Sequence, residues 1–93
     1  MRIALVINAA AGSSSPAPDE IRERFARAGI AIVGEPDETM TLRDRLRAAA
    51  ALPGIDALVV GGGDGTIACA AGIMVGQELP LGLLPLGTMN LLA

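Results

Sequence analysis

The stretch Val60-Gly61-Gly62-Gly63-Asp64-Gly65-Thr66 constrains this chain more than any other. It lies between two apolar runs, Ala57 to Val60 and Ile67 to Val75, the pattern of a turn joining a buried strand to a helix. Consecutive glycines let the backbone approach a ligand with no Cβ in the way, and they allow positive φ where a tight turn needs it. Thr66 is expected to open a helix whose first amides lack internal partners and suit anionic oxygens. Asp64 is a single carboxylate in an otherwise neutral loop. It would repel a bare phosphate, but it suits a magnesium ion or the removal of a proton from a hydroxyl. The combination predicts phosphoryl transfer rather than simple phosphate binding.

Two other glycine loops do not fit. A Walker loop requires a lysine, and the chain contains none. A dinucleotide fingerprint beginning at Gly61 would require glycine where Thr66 stands.

At 93 residues the chain is one small domain. Phe25 is its one aromatic residue, so the core must be aliphatic. The net charge of −3, with every cationic side chain an arginine at or before Arg47, leaves no basic footprint for nucleic acid. Cys69 lies inside an apolar run and is expected to be a reduced, buried thiol, as in a cytoplasmic protein. No apolar run approaches the roughly eighteen residues of a membrane span.

Read in order, the chain alternates strands and helices. Ile3 to Ile7 is a continuous apolar run, expected of a central parallel strand. After a small, hydroxyl-rich loop, Ser15-Pro16 predicts the cap and first residue of helix one. That helix turns Ile21, Phe25 and Ala28 inward, and Glu20/Arg24 and Glu23/Arg27 form i,i+4 pairs. Ile30 to Val33 is the second strand. Thr41 with Asp44 predicts a capped second helix, with Leu42, Leu46 and Ala49 facing inward and Arg43, Arg45 and Arg47 solvated. Strand three (Asp56 to Val60), helix three (Thr66 to about Gly76) and strand four (Leu81 to Leu84) complete a βαβαβαβ alternation. The expected fold is therefore α/β, an open parallel sheet with right-handed crossovers and helices on both faces.

Ligands gather at the carboxyl ends of such strands, where strand order reverses. For the loops after strands one, three and four to border one crevice, the order must be 2-1-3-4. From Gly65 to Ala93 the only charged side chain is Glu78, so helix three lacks a polar face and is expected to need cover. The chain is accordingly read as the front piece of a longer protein or as a protomer whose partner copy covers residues 66–76.

Gly62-Gly63-Asp64-Gly65-Thr66, followed by Pro85-Leu86-Gly87-Thr88-Met89-Asn90, resembles the catalytic domain of diacylglycerol kinases, sphingosine kinases and bacterial lipid kinases. That domain is in turn similar in its glycine-aspartate loop to NAD kinases and phosphofructokinases, but the second turn favours the lipid branch. Asn8-Ala9-Ala10-Ala11-Gly12 resembles a drifted form of the family's Asn-Pro-x-Ser-Gly motif. The resemblance implies ATP and magnesium as cofactors. It implies nucleotide-binding roles for Asn8, Gly12, Gly62, Gly63, Gly65, Thr66, Gly87, Thr88 and Asn90. Asp64 would be catalytic, tied to magnesium or to activating the acceptor hydroxyl. It also implies a lipid acceptor, bound with the help of a C-terminal β-sandwich, and peripheral contact with a membrane. Ala68-Cys69 departs from the polar Asn-Glu pair usual there, and Leu91 from an aspartate. The alternatives are an NAD kinase-like phosphotransferase and a catalytically silent nucleotide-binding or assembly module, the second motivated by Ala68-Cys69 and the uncharged last third.

Overall fold

The computed structural model describes residues 1–8 and 17–86. Four parallel strands, β1 (Arg2–Ile7), β2 (Ala31–Gly34), β3 (Ala57–Gly62) and β4 (Leu81–Pro85), form one sheet in the order β2-β1-β3-β4. Three helices connect them: α1 (Pro18–Arg27), α2 (Leu42–Ala50) and α3 (Asp64–Ile73). The expected strand order and alternation are both present.

Strand alternation divides the core into two layers. Ala4, Val6, Leu58 and Val60 face α2 and α3, meeting Leu46, Ala49, Ala70 and Met74. Ile3, Leu5, Ile7, Ala57 and Val59 face α1 and meet Ile21 and Leu86. Both central strands are buried on both faces, which is why each reads as an unbroken apolar run. Burying Leu5, Leu46 or Leu58 contributes about 1.5–3 kcal/mol apiece and fixes the carboxyl ends of β1 and β3 side by side.

Several boundaries differ from the sequence expectations. Helix α1 starts at Pro18, not Pro16, with Ala17 extended at its N-cap (ψ 155°). A residue before proline is pushed out of the helical region, so Pro18 forces Ala17 to stay outside. Ser15, Pro16 and Gly12 lie outside the described residues. The Glu20/Arg24 and Glu23/Arg27 pairs form at 2.8 Å each. Ala28, expected inward, ends the helix exposed. Strand β2 begins one residue late, at Ala31. Helix α2 is capped as predicted, the Asp44 amide donating to Thr41 Oγ1 at 3.1 Å.

Helix α3 buries Thr66 and Ala70, half-buries Ile67, Cys69 and Ile73, and ends at buried Met74. Cys69 is therefore less enclosed than its apolar neighbours suggested. The outer side carries Gly65, Ala68, Ala71 and Gly72, so little apolar area faces outward despite the missing polar stripe. Val75, just beyond the helix, is the exception at 77 % exposed.

Candidate phosphate site

The carboxyl ends of β1 and β3 are the switch point of the sheet: β1 leads to α1 on one face and β3 to α3 on the other. Asn8 follows β1 directly. Its amide N–H donates to the Gly61 carbonyl at 2.8 Å, and its side-chain Nδ2 donates to Thr66 Oγ1 at 2.9 Å. One residue thus ties both strands to the start of α3. Because the Thr66 oxygen accepts from Asn8, its own hydroxyl proton is left to donate elsewhere.

The glycines do different jobs. Gly61 and Gly62 are not turn residues, as the sequence suggested; they continue β3, in register with Leu84 and Pro85 of β4. A Cβ on Gly61 would stand 3.3 Å from Leu86 Cδ1. On Gly62 it would stand 2.6, 2.7 and 2.8 Å from Thr66 Cβ, Cγ2 and Oγ1. Gly62 is glycine so that Thr66 can fold back onto the strand.

Gly63 and Gly65 have no such neighbours. Among the described residues nothing lies within 4 Å of a Cβ built on either, and neither has positive φ. Gly63 is the N-cap of α3 with ordinary extended angles (φ −83°, ψ −171°). Gly65 sits in the first helical turn, where glycine costs about 1 kcal/mol relative to alanine. Among the described residues neither packing nor backbone geometry asks for glycine at these two places. What remains is open space above the helix start, of the kind a ligand's close approach would need.

Helix α3 begins two residues earlier than expected, at Asp64, and among the described residues no side chain caps it. Its first amides therefore have neither an intrahelical acceptor nor a side-chain one. They point out of the helix end beside Asn8 and Thr66, with the helix dipole favouring negative charge. Asp64 occupies the first helical position and is exposed. Gly87, Thr88 and Asn90 lie outside the described residues.

One residue of this region was misjudged from sequence. Arg45 is not on a solvated face; it is 7 % exposed, and its Nη2 donates to the Ile7 carbonyl at 2.9 Å. The signal was available, since 42, 45, 46 and 49 follow the i, i+3, i+4, i+7 spacing of a buried stripe. A cavity of about 180 Å³ lies beside it, lined by Ile7, Asn8, Pro18, Glu38 and Arg45. Across the turn after β2, Arg22 clasps Glu35 through Nε at 2.9 Å and Asp19 through Nη1 at 2.7 Å. Hydrogen bonding to Glu35, followed by that carboxylate's charge and the Asp19 carboxylate, raises the Arg22 pKa above its ordinary value against a lowering by burial. Asp37 in the same turn is held below the usual aspartate value, chiefly by the Thr39 amide that donates to it at 2.9 Å.

The model of the diacylglycerol kinase catalytic domain matches residues 2–93. The chain belongs to that family. Two curated relatives, each named "Diacylglycerol kinase", from Mycobacterium tuberculosis strains CDC 1551 / Oshkosh and ATCC 25618 / H37Rv, are 47 % identical over 45 residues. The match takes in 48 % of this chain and 15 % of each relative, so the chain corresponds to a minor part of those proteins. No solved structure matches significantly. Within the diacylglycerol kinase catalytic-domain family, then, this chain supplies a parallel α/β sheet with a glycine-aspartate helix start at its switch point.

Among the described residues no helix is long and apolar enough to cross a membrane. Nor do three or more metal-ligating side chains cluster there. Magnesium bound along with a nucleotide needs only one or two carboxylates, the phosphates and waters completing its shell. A lone Asp64 at the helix start fits that mode and does not fit a protein-built cage.

Proposed function

We propose that the chain binds the phosphates of ATP at the start of α3 and belongs to a lipid kinase that transfers the γ-phosphoryl group to a lipid hydroxyl. The observation that carries the reading is the pair Gly63 and Gly65, open and conformationally ordinary, flanking Asp64 on an uncapped helix N-terminus. Nothing among the described residues packs against these glycines. Free amides at the helix start would receive phosphate oxygens, and the Thr66 hydroxyl, set by Asn8, would donate to one more. Asp64 would hold magnesium against the same phosphates, and the ion would neutralise their charge during transfer. In the reaction the acceptor hydroxyl oxygen bonds to the γ-phosphorus as the bond to the ADP oxygen breaks, and the hydroxyl proton is released.

The relatives' name points to diacylglycerol as the acceptor. Binding of the lipid, contact with a membrane surface and efficient transfer would depend on parts of a longer protein beyond this chain, and cover over residues 66–76 would come from there or from a second copy. A second reading, nucleotide binding without transfer, is favoured by one observation. Ala68 is exposed and Cys69 half-buried, so neither puts a charged or amide group on the α3 surface after Thr66. Incorporation of radiolabelled γ-phosphate into diacylglycerol vesicles by the full-length protein tests the two. Transfer that is lost in Asp64→Asn supports the kinase; nucleotide binding with no transfer in the native protein supports the silent module.

A further inference from the structure

Arg45 is a buried cation. Among the described residues no carboxylate lies within ion-pair distance of it; the ion pairs formed belong to Arg22, Arg24 and Arg27. Among the described residues its buried Nε has no hydrogen-bond partner. Burying a guanidinium this way is costly, and a residue serving only to fill the core under α2 would be aliphatic, like Leu46 and Ala49 beside it.

What Arg45 does hold is one particular carbonyl. Successive residues of a parallel strand direct their amide groups to opposite neighbours. Asn8 donates toward β3, so Ile7 faces the β2 side. Strand β2 no longer runs there, because its pairing with β1 ends at Ala4 and Gly34. The Ile7 carbonyl is thus a strand acceptor without a strand, and the Arg45 guanidinium takes the place of the missing N–H at 2.9 Å. The next residue is Asn8, whose side chain sets Thr66. Asp37 and Glu38 face the same small cavities from the turn after β2, and the Arg45 charge helps lower the Asp37 pKa.

We infer that Arg45 is a positioning residue for the phosphate site, acting through Asn8: by holding the Ile7 carbonyl it fixes the end of β1 so that the Asn8 amide meets Thr66. The inference rests on the nucleotide reading for its functional consequence, but its structural half is measurable without any ligand. In Arg45→Met the Asn8 side-chain amide protons should exchange with solvent at least fivefold faster than in the native chain. Met74→Ala, a cavity at the far end of α3, serves as the control for general destabilisation and should leave that rate within twofold. With Mg-ATP, Arg45→Met should weaken binding about tenfold in the native background and less than twofold in an Asn8→Ala background, because the arginine acts through the residue already removed.

Equal weakening in both backgrounds, or Asn8 exchange no faster in Arg45→Met than in the control, overturns the inference. If no variant and not even the native chain binds nucleotide, faster Asn8 exchange in Arg45→Met still supports the positioning role while the nucleotide reading fails. Should Arg45→Met not fold, Arg45→Lys carries the test. Its ammonium stops about one bond short of the carbonyl, so Asn8 exchange should rise at least twofold, and an unchanged rate refutes the role.

Discussion

Gly62→Ala should be among the most damaging single-methyl changes in this chain. The added Cβ would lie 2.6 Å from Thr66 Cβ, well inside contact distance, and Thr66 cannot turn away because its own Cβ is the clashing atom. Either β3 or the first turn of α3 must move. Overpacking of this kind costs about 1–3 kcal/mol. Displacing Thr66 also removes its bond from Asn8, worth about 0.5–1.5 kcal/mol. For a domain of this size the sum corresponds to a fall in Tm of roughly 8–23 °C. Gly63→Ala, one residue on, meets nothing within 4 Å and should change stability by no more than about 0.5 kcal/mol, the lost N-cap preference offsetting the stiffer unfolded chain. Thermal unfolding followed by circular dichroism measures both. Adding Thr66→Ser to Gly62→Ala should not restore stability, because only Cγ2 is removed and the Cβ clash persists. A Gly62→Ala variant that melts with the native chain, or one rescued by Thr66→Ser, would refute the assignment of Gly62 to packing.

Other expectations follow from single contacts. Gly65→Ala should stabilise the chain by about 0.5–1 kcal/mol, since it removes a glycine from the first turn of α3 where no described residue would meet the added methyl, yet weaken nucleotide binding; urea unfolding paired with a binding titration reads both. Thr41→Ala should cost about 1 kcal/mol by removing the side-chain cap from the Asp44 amide, seen as a lower urea midpoint at unchanged slope. Asp37, with its folded pKa depressed, should contribute stability that is complete above the unfolded aspartate pKa and lost as pH falls through the lower folded value. An NMR titration of its carboxyl carbon should give a midpoint below that of an unstructured aspartate, moving upward in a Thr39→Pro variant that lacks the donating amide.

The sheet was legible in the sequence because both central strands are buried on two faces and the intervening segments carry helical periodicity. Strand order followed from asking which arrangement brings the chemically distinctive loops to one crevice, and it required no side-chain information. The division of labour among the glycines was not legible. Gly61 and Gly62 belong to a strand because they pair with Leu84 and Pro85 and because Leu86 and Thr66 occupy the space above them, and those neighbours come from other elements. Asp64 shifted from loop to helix for the same reason: once Gly62 ends the strand, Gly63 alone makes the turn. Arg45 was readable in principle from its position in the 42, 45, 46, 49 stripe, but its charge argued for solvent. What outweighed it was an orphan carbonyl created by the early end of β2, which no local pattern announces.

Isothermal titration of the chain with Mg-ATP, run beside Gly63→Val, tests the central reading most directly. The native chain should show saturable binding, and Gly63→Val, equally folded by circular dichroism, should show none because its side chain would fill the open space over the α3 amides. Saturable binding that is unchanged in Gly63→Val would place the nucleotide elsewhere, and a folded native chain that binds none would contradict a phosphate site at this helix start.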